Sequence, residues 1–88
     1  MKINFKDIKV YNLDGTEVPE AKLHETVANA IYRQASASPI RNVELARRIY
    51  SEGELDISTE DIQIVKNAVN NALTIADGAK VAILKALE

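Results

Sequence analysis

Hydrophobic positions change period along the chain. In KINFKDIKVYNL, residues 2–13, Ile3 and Phe5 alternate, and so do Ile8 and Val10. The two pairs are out of phase, and a break or bulge near Lys6 and Asp7 reconciles them. Asp14-Gly15 follows, a two-residue turn signal because both residues tolerate positive φ. Thr16, Glu17 and Val18 then run back beside Tyr11 to Leu13, and Pro19 ends that strand. The pattern predicts a β-hairpin over about 2–18. A lone hairpin is marginal in water, so it must lie on an apolar surface.

From residue 20 the period becomes helical. Leu23, Val27, Ala30 and Ile31 form a stripe flanked by Tyr32, which predicts a helix over about 20–34. ASASP, residues 35–39, is small and polar with a proline and reads as a loop. A second helix is expected over about 42–52, with Asn42 as N-cap, Gly53 as terminator, and Leu45, Ala46, Ile49 and Tyr50 on its apolar face. Alternation returns in ELDI, where Leu55 and Ile57 interleave with Glu54 and Asp56, so this tract is extended. Ser58 then caps a third helix over about 59–73, and Asp61 reaches back toward the cap. Ile57 before the cap and Ile62 beyond it form a hydrophobic staple. Glu60 and Asp61 suit the positive end of the helix dipole. Ile62, Val65, Ala68, Val69 and Ala72 form its buried face.

A break at 74–78 precedes a last helix over about 78–87, with Asp77 as candidate cap and Thr74 as an earlier alternative start. Its apolar residues surround most of the circumference, so it is either central in the core or covered by a partner. Val81 and Leu84 lie on the side expected to turn from the core, which makes them candidate protein contacts. The whole reads as one α+β domain, 1–88, in which an N-terminal β-hairpin packs on about four short α-helices. Its expected core includes Phe5, Ile8, Val10, Val27, Ile31, Leu45, Ile49, Ile62, Val65, Val69, Ile83 and Leu87.

Composition narrows the function classes. The chain has 88 residues, 47% of them apolar and 27% charged, as in a folded domain with a modest core. It has no cysteine, which excludes disulfides and thiolate metal sites. Its net charge of -2 predicts no general attraction to nucleic acid or anionic lipid. No apolar run reaches the roughly 20 residues of a membrane span, and MKINFKDIKV lacks a signal-peptide centre. The expected location is therefore the cytoplasm.

Chemistry-bearing residues are sparse. His24 is the only histidine, and HET lacks the second histidine of a helical zinc site. With Glu20 and Glu25 nearby, it reads as part of a solvated face. All four arginines lie between 33 and 48. Arg41, Arg47 and Arg48 could contact phosphates, the basis of an alternative reading as a nucleic-acid-associated regulator. The plainer reading pairs Glu44 with Arg47 or Arg48. A helix-turn-helix is disfavoured, because GELDIS is a long connector and the would-be recognition helix opens on two acids. The acidic run Glu52, Glu54, Asp56, Glu60 and Asp61 lacks the glycine and spacing of a calcium loop. No serine sits in a nucleophile elbow, and the three glycines are isolated. No catalytic residue, metal site or cofactor is expected.

The order of features resembles small proteins encoded in tailed-phage and prophage genomes. NLDGTEV at 12–18 and LHETVANAIY at 23–32 begin the likeness, and VELARRIYSEGELDISTEDIQIVKNAV at 43–69 carries most of it. In that segment Glu44, Leu45, Ala46, Ile49 and Tyr50 match an ELA-x-x-I-Y helix. Glu54, Leu55, Ile57, Ser58, Glu60, Asp61, Ile62, Ile64, Val65 and Lys66 match the turn and helix that follow. AILKALE at 82–88 resembles the closing helix, while residues 35–41 and 70–80 depart from the pattern. The resemblance implies a bacterial host cell and an assembly or regulatory interaction, with no catalytic residue carried over. The expectation is a non-enzymatic protein-interaction module with a protein partner or self-association, possible homodimer included.

Overall fold

The computed structural model describes all 88 residues. Strand β1 (Lys2–Asn4) leads into a 3-10 turn at Phe5–Asp7. Helix α1 (Leu23–Arg33), helix α2 (Pro39–Glu52), strand β2 (Glu54–Asp56), helix α3 (Thr59–Asn71) and helix α4 (Asp77–Ala86) follow. The fold is α+β, with a two-stranded antiparallel sheet and four helices around one core.

The 3-10 turn is the break that the phase change demanded. It buries Phe5 completely, and Asn4 caps it by accepting from the Lys6 amide at 3.0 Å. Beyond it the chain forms a short ribbon, with Tyr11 bridged to Glu17 and the Val18 amide donating to Val10 at 2.8 Å. The turn holds three residues rather than two. Asn12 donates to Thr16 at 2.8 Å, and Gly15, at φ 91°, donates back to Asn12 at 3.0 Å. A type I turn closed by one left-handed residue fits this pattern.

β1 does not run on into that ribbon. It pairs with β2 instead, Ile3 opposite Leu55 and Asn4 opposite Glu54. The alternation read in residues 54–57 is explained by this pairing, since Leu55 and Ile57 are buried and Glu54 and Asp56 exposed. Ile8 and Val10 pack against the core but are only half-buried, because the ribbon lies over its edge.

Two helix starts differ from expectation. Glu20 and Lys22 both adopt positive φ, 52° and 48°, so residues 20–22 turn and α1 begins at Leu23. α2 begins at Pro39, whose missing N–H costs nothing at the first helical position. Asn42 is therefore no cap. It is buried inside α2, and its amide donates to the Ser36 hydroxyl at 3.0 Å, tying the preceding loop to the helix. Gly53 does end α2, and Ser58 does cap α3 by accepting from the Asp61 amide at 3.1 Å. Ile57 is buried before that cap, and Ile62 packs against the same core. Tyr50, read as part of the apolar face of α2, is 52% exposed.

The connector after α3 is anchored by Ile75, which is buried, and the Lys80 ammonium donates to the Asn70 carbonyl at 3.3 Å. α4 starts at Asp77 without a side-chain cap, so neither Asp77 nor Thr74 acts as one. Ile83 and Leu87 enter the core, completing a cluster with Phe5, Val27, Ile31, Leu45, Ile49, Val65 and Val69. No helix is long and apolar enough to cross a membrane.

Candidate functional site

α4 is apolar around most of its circumference, yet only part of it is covered. Its uncovered stripe is Asp77, Val81 and Lys85, spaced four apart on one face. Val81 is 50% exposed. Leu84 is half-buried and packs against the core, so the two candidate contact residues part company.

The stripe borders a groove of about 950 Å³ between α4 and the N-terminal segment. β1 and the 3-10 turn form the other wall, with Ile8 and Tyr11 beyond them. Tyr11 is 57% exposed and is held by the ribbon. The Asp14 carboxylate accepts from the Thr16 hydroxyl at 2.7 Å and the Thr16 amide at 3.0 Å, and Asn12 donates to the same hydroxyl at 3.1 Å. Those bonds, the hydroxyl first and the amide next, hold the Asp14 carboxyl below the ordinary aspartate pKa.

Backbone polarity along this wall follows from the ladder. Met1 and Ile57 exchange bonds at 2.8 and 3.0 Å, and Phe5 donates to Gly53 at 2.8 Å. Odd-numbered residues thus face β2, and the backbone groups of Lys2 and Asn4 point to the opposite edge. No strand pairs with that edge. Asn4 and Lys2 also line the groove.

The arginines are divided. Arg41 bonds Glu60 at 2.9 Å and Asp61 at 3.1 Å, and these two partners, in that order, raise its pKa further. Arg48 pairs with Glu52 at 3.4 Å, not with Glu44. Arg47 makes no ion pair and borders a small hollow between the exposed Tyr32 and Tyr50.

The acidic run is likewise distributed. Glu54 pairs with Lys2 at 3.2 Å, Asp56 with the Met1 amine at 3.0 Å, and Glu52, Glu60 and Asp61 with arginines of α2. These acids are spread over separate cations, with only Glu60 and Asp61 sharing one, Arg41, and no group of three or more His, Asp or Glu is placed to hold a metal ion. His24 is partly buried, its ring centroid 6.5 Å from that of Tyr50. Its Nδ1 is buried without a hydrogen-bond partner. The hollow beside it is lined by Lys6, Asp7, Glu20 and Lys22, side chains of both signs.

Val81 was expected on the side of α4 turned from the core and is exposed there, but its surroundings were not legible. The Asp77–Val81–Lys85 stripe was legible as an i, i+4 series. That β1 would stand across from it depends on pairing with β2, which local pattern does not encode. No family model, no curated protein and no solved structure matches the chain.

Proposed function

We propose that this chain is a non-enzymatic protein-interaction module, of the assembly or regulatory kind found among phage and prophage proteins, and that it binds through the groove beside α4. One observation carries the reading: Val81 stands half exposed on the uncovered face of α4, on the wall of a groove with a largely apolar lining. Exposed apolar side chains grouped around a concavity with a charged rim are the usual make-up of a contact surface. The alternative, a nucleic-acid-associated regulator, would require Arg41 and Arg48 to exchange their carboxylate partners for phosphates.

Affinity capture from the source cells tests the proposal, using the wild-type chain, Val81→Asp, and Leu73→Asp as a control at a fully exposed apolar position. At least one protein should be retained by wild type and Leu73→Asp and lost with Val81→Asp. Equal retention by all three chains, or capture of nothing by wild type, overturns it. Unchanged circular dichroism of Val81→Asp verifies that the loss is local.

A further inference from the structure

The groove has a strand on one wall and a helix on the other, and the helix wall carries an acid, Asp77, at one end and a base, Lys85, at the other. Resting on the proposed contact role of Val81, we infer that the occupant is an extended peptide segment of a partner protein, which adds to the free edge of β1. The peptide carries an acidic and a basic residue four positions apart with an apolar residue midway.

The backbone argument comes first. β1 uses its odd residues to bond β2, and the 3-10 turn takes the Asn4 carbonyl, so the backbone groups of Lys2 and the amide of Asn4 are left at the edge that lines the groove, where no strand bonds them. An exposed edge of this kind bonds an incoming extended chain through main-chain groups, and pockets for alternate side chains supply specificity.

Charge and length then specify the chain. Asp77 and Lys85 lie eight residues apart on α4, about 12 Å at 1.5 Å per residue. Val81 is midway between them. Neither Asp77 nor Lys85 is in an ion pair, whereas on the opposite wall Lys2 and Lys9 are paired with Glu54 and Glu17 and the Asp7 carboxylate accepts from the Asn4 side-chain amide at 3.1 Å. An extended chain advances about 3.3 Å per residue, and every second side chain points to the same side. Residues i, i+2 and i+4 of such a peptide therefore span about 13 Å and can meet Lys85, Val81 and Asp77 together. An acid belongs opposite Lys85, a base opposite Asp77, and an apolar side chain over Val81. A helical ligand would need the same three residues at i, i+4 and i+8 to span about 12 Å, and it would leave the edge of β1 unbonded.

The test is selection of a displayed random 12-residue peptide library on the whole immobilised chain. Selected peptides should share acidic-x-apolar-x-basic spacing in either direction. Their binding should shift the backbone amide resonances of Lys2 and Asn4 together with those of 81–86. N-methylation of the edge-facing amides of a selected peptide should weaken binding about tenfold, the loss expected for a hydrogen bond or two. Selection on Lys85→Glu should replace the acid with a second base. Peptides indifferent to Lys85→Glu or to N-methylation, or an empty selection, overturn the inference. So does a dimer of the free chain that Val81→Asp dissolves, because a second copy then fills the groove. If partner capture still depends on Val81 in any of these cases, the contact role stands and only the strand-addition mode falls.

Discussion

Gly53 stands where three demands meet. Its amide closes α2 on the Ile49 carbonyl at 3.0 Å, and its carbonyl accepts from Phe5 at 2.8 Å. Its backbone sits at φ 72° and ψ -51°, a region L side chains avoid. The stem of Lys6 lies over it, so close that an added Cβ would fall 2.6 Å from the Lys6 Cγ. Gly53→Ala should therefore cost about 1–3 kcal/mol, the range for a strained backbone conformation. Lys6 is exposed and its stem can swing into solvent, so most of that cost should persist in a Lys6→Ala background. Urea denaturation of the four chains measures the coupling. A cost that vanishes with Lys6→Ala would assign the demand to the stem and not to the backbone. Gly53 was legible as a helix stop; the strand crossing behind it was not, because the partner, Phe5, lies far back in the chain.

Among elements, α3 follows its local signals most closely. Ser58 holds the cap, Glu60 and Asp61 occupy the first turn, and Val65, Ala68 and Val69 are buried at helical spacing. Ser58→Ala removes the acceptor of the Asp61 amide and should cost about 1 kcal/mol. At this chain length that is a fall in Tm of about 4–8 °C. Ser58→Asp should retain most of the stability, since its carboxylate can accept the same bond at the positive end of the helix. Equal melting of Ser58→Ala and wild type would show that packing of Ile57 and Val65, not the cap, sets where α3 begins. The α1 start was less legible than this one. Its register depends on two non-glycine residues held at positive φ, Glu20 and Lys22, which no propensity announces. Asn42 misled for a related reason. An asparagine near a helix start reads as a cap, but Pro39 had already opened the helix one turn earlier.

The whole molecule is closed by its first residues. β1 joins β2 across about fifty positions of sequence, and Phe5 is driven into the centre between them and the helices. The ion pairs of Glu54, Asp56, Glu60 and Asp61 repeat the same closure in charge, joining β2 to the amino-terminal residues and α3 to α2. These pairs are mostly exposed, so each contributes little, and the apolar centre carries the stability. Phe5 was legible as apolar and strand-like, and its burial was expected; its long-range role rests on pairing that single-sequence periodicity does not contain. Phe5→Ala deletes a fully buried ring and should cost about 3–5 kcal/mol, against a total of about 5–15 kcal/mol for a domain. Leu73→Ala, at a fully exposed position, should stay within about 0.5 kcal/mol of wild type. Hydrogen exchange on Phe5→Ala gives the sharper reading. If the amino-terminal segment closes the core, protection should fall in α1 and α3 as well as in β2. If protection is lost only in β1 and β2 while the helices keep theirs, the helices form a separate cooperative unit. In that case the groove beside α4 has one firm wall and one that opens.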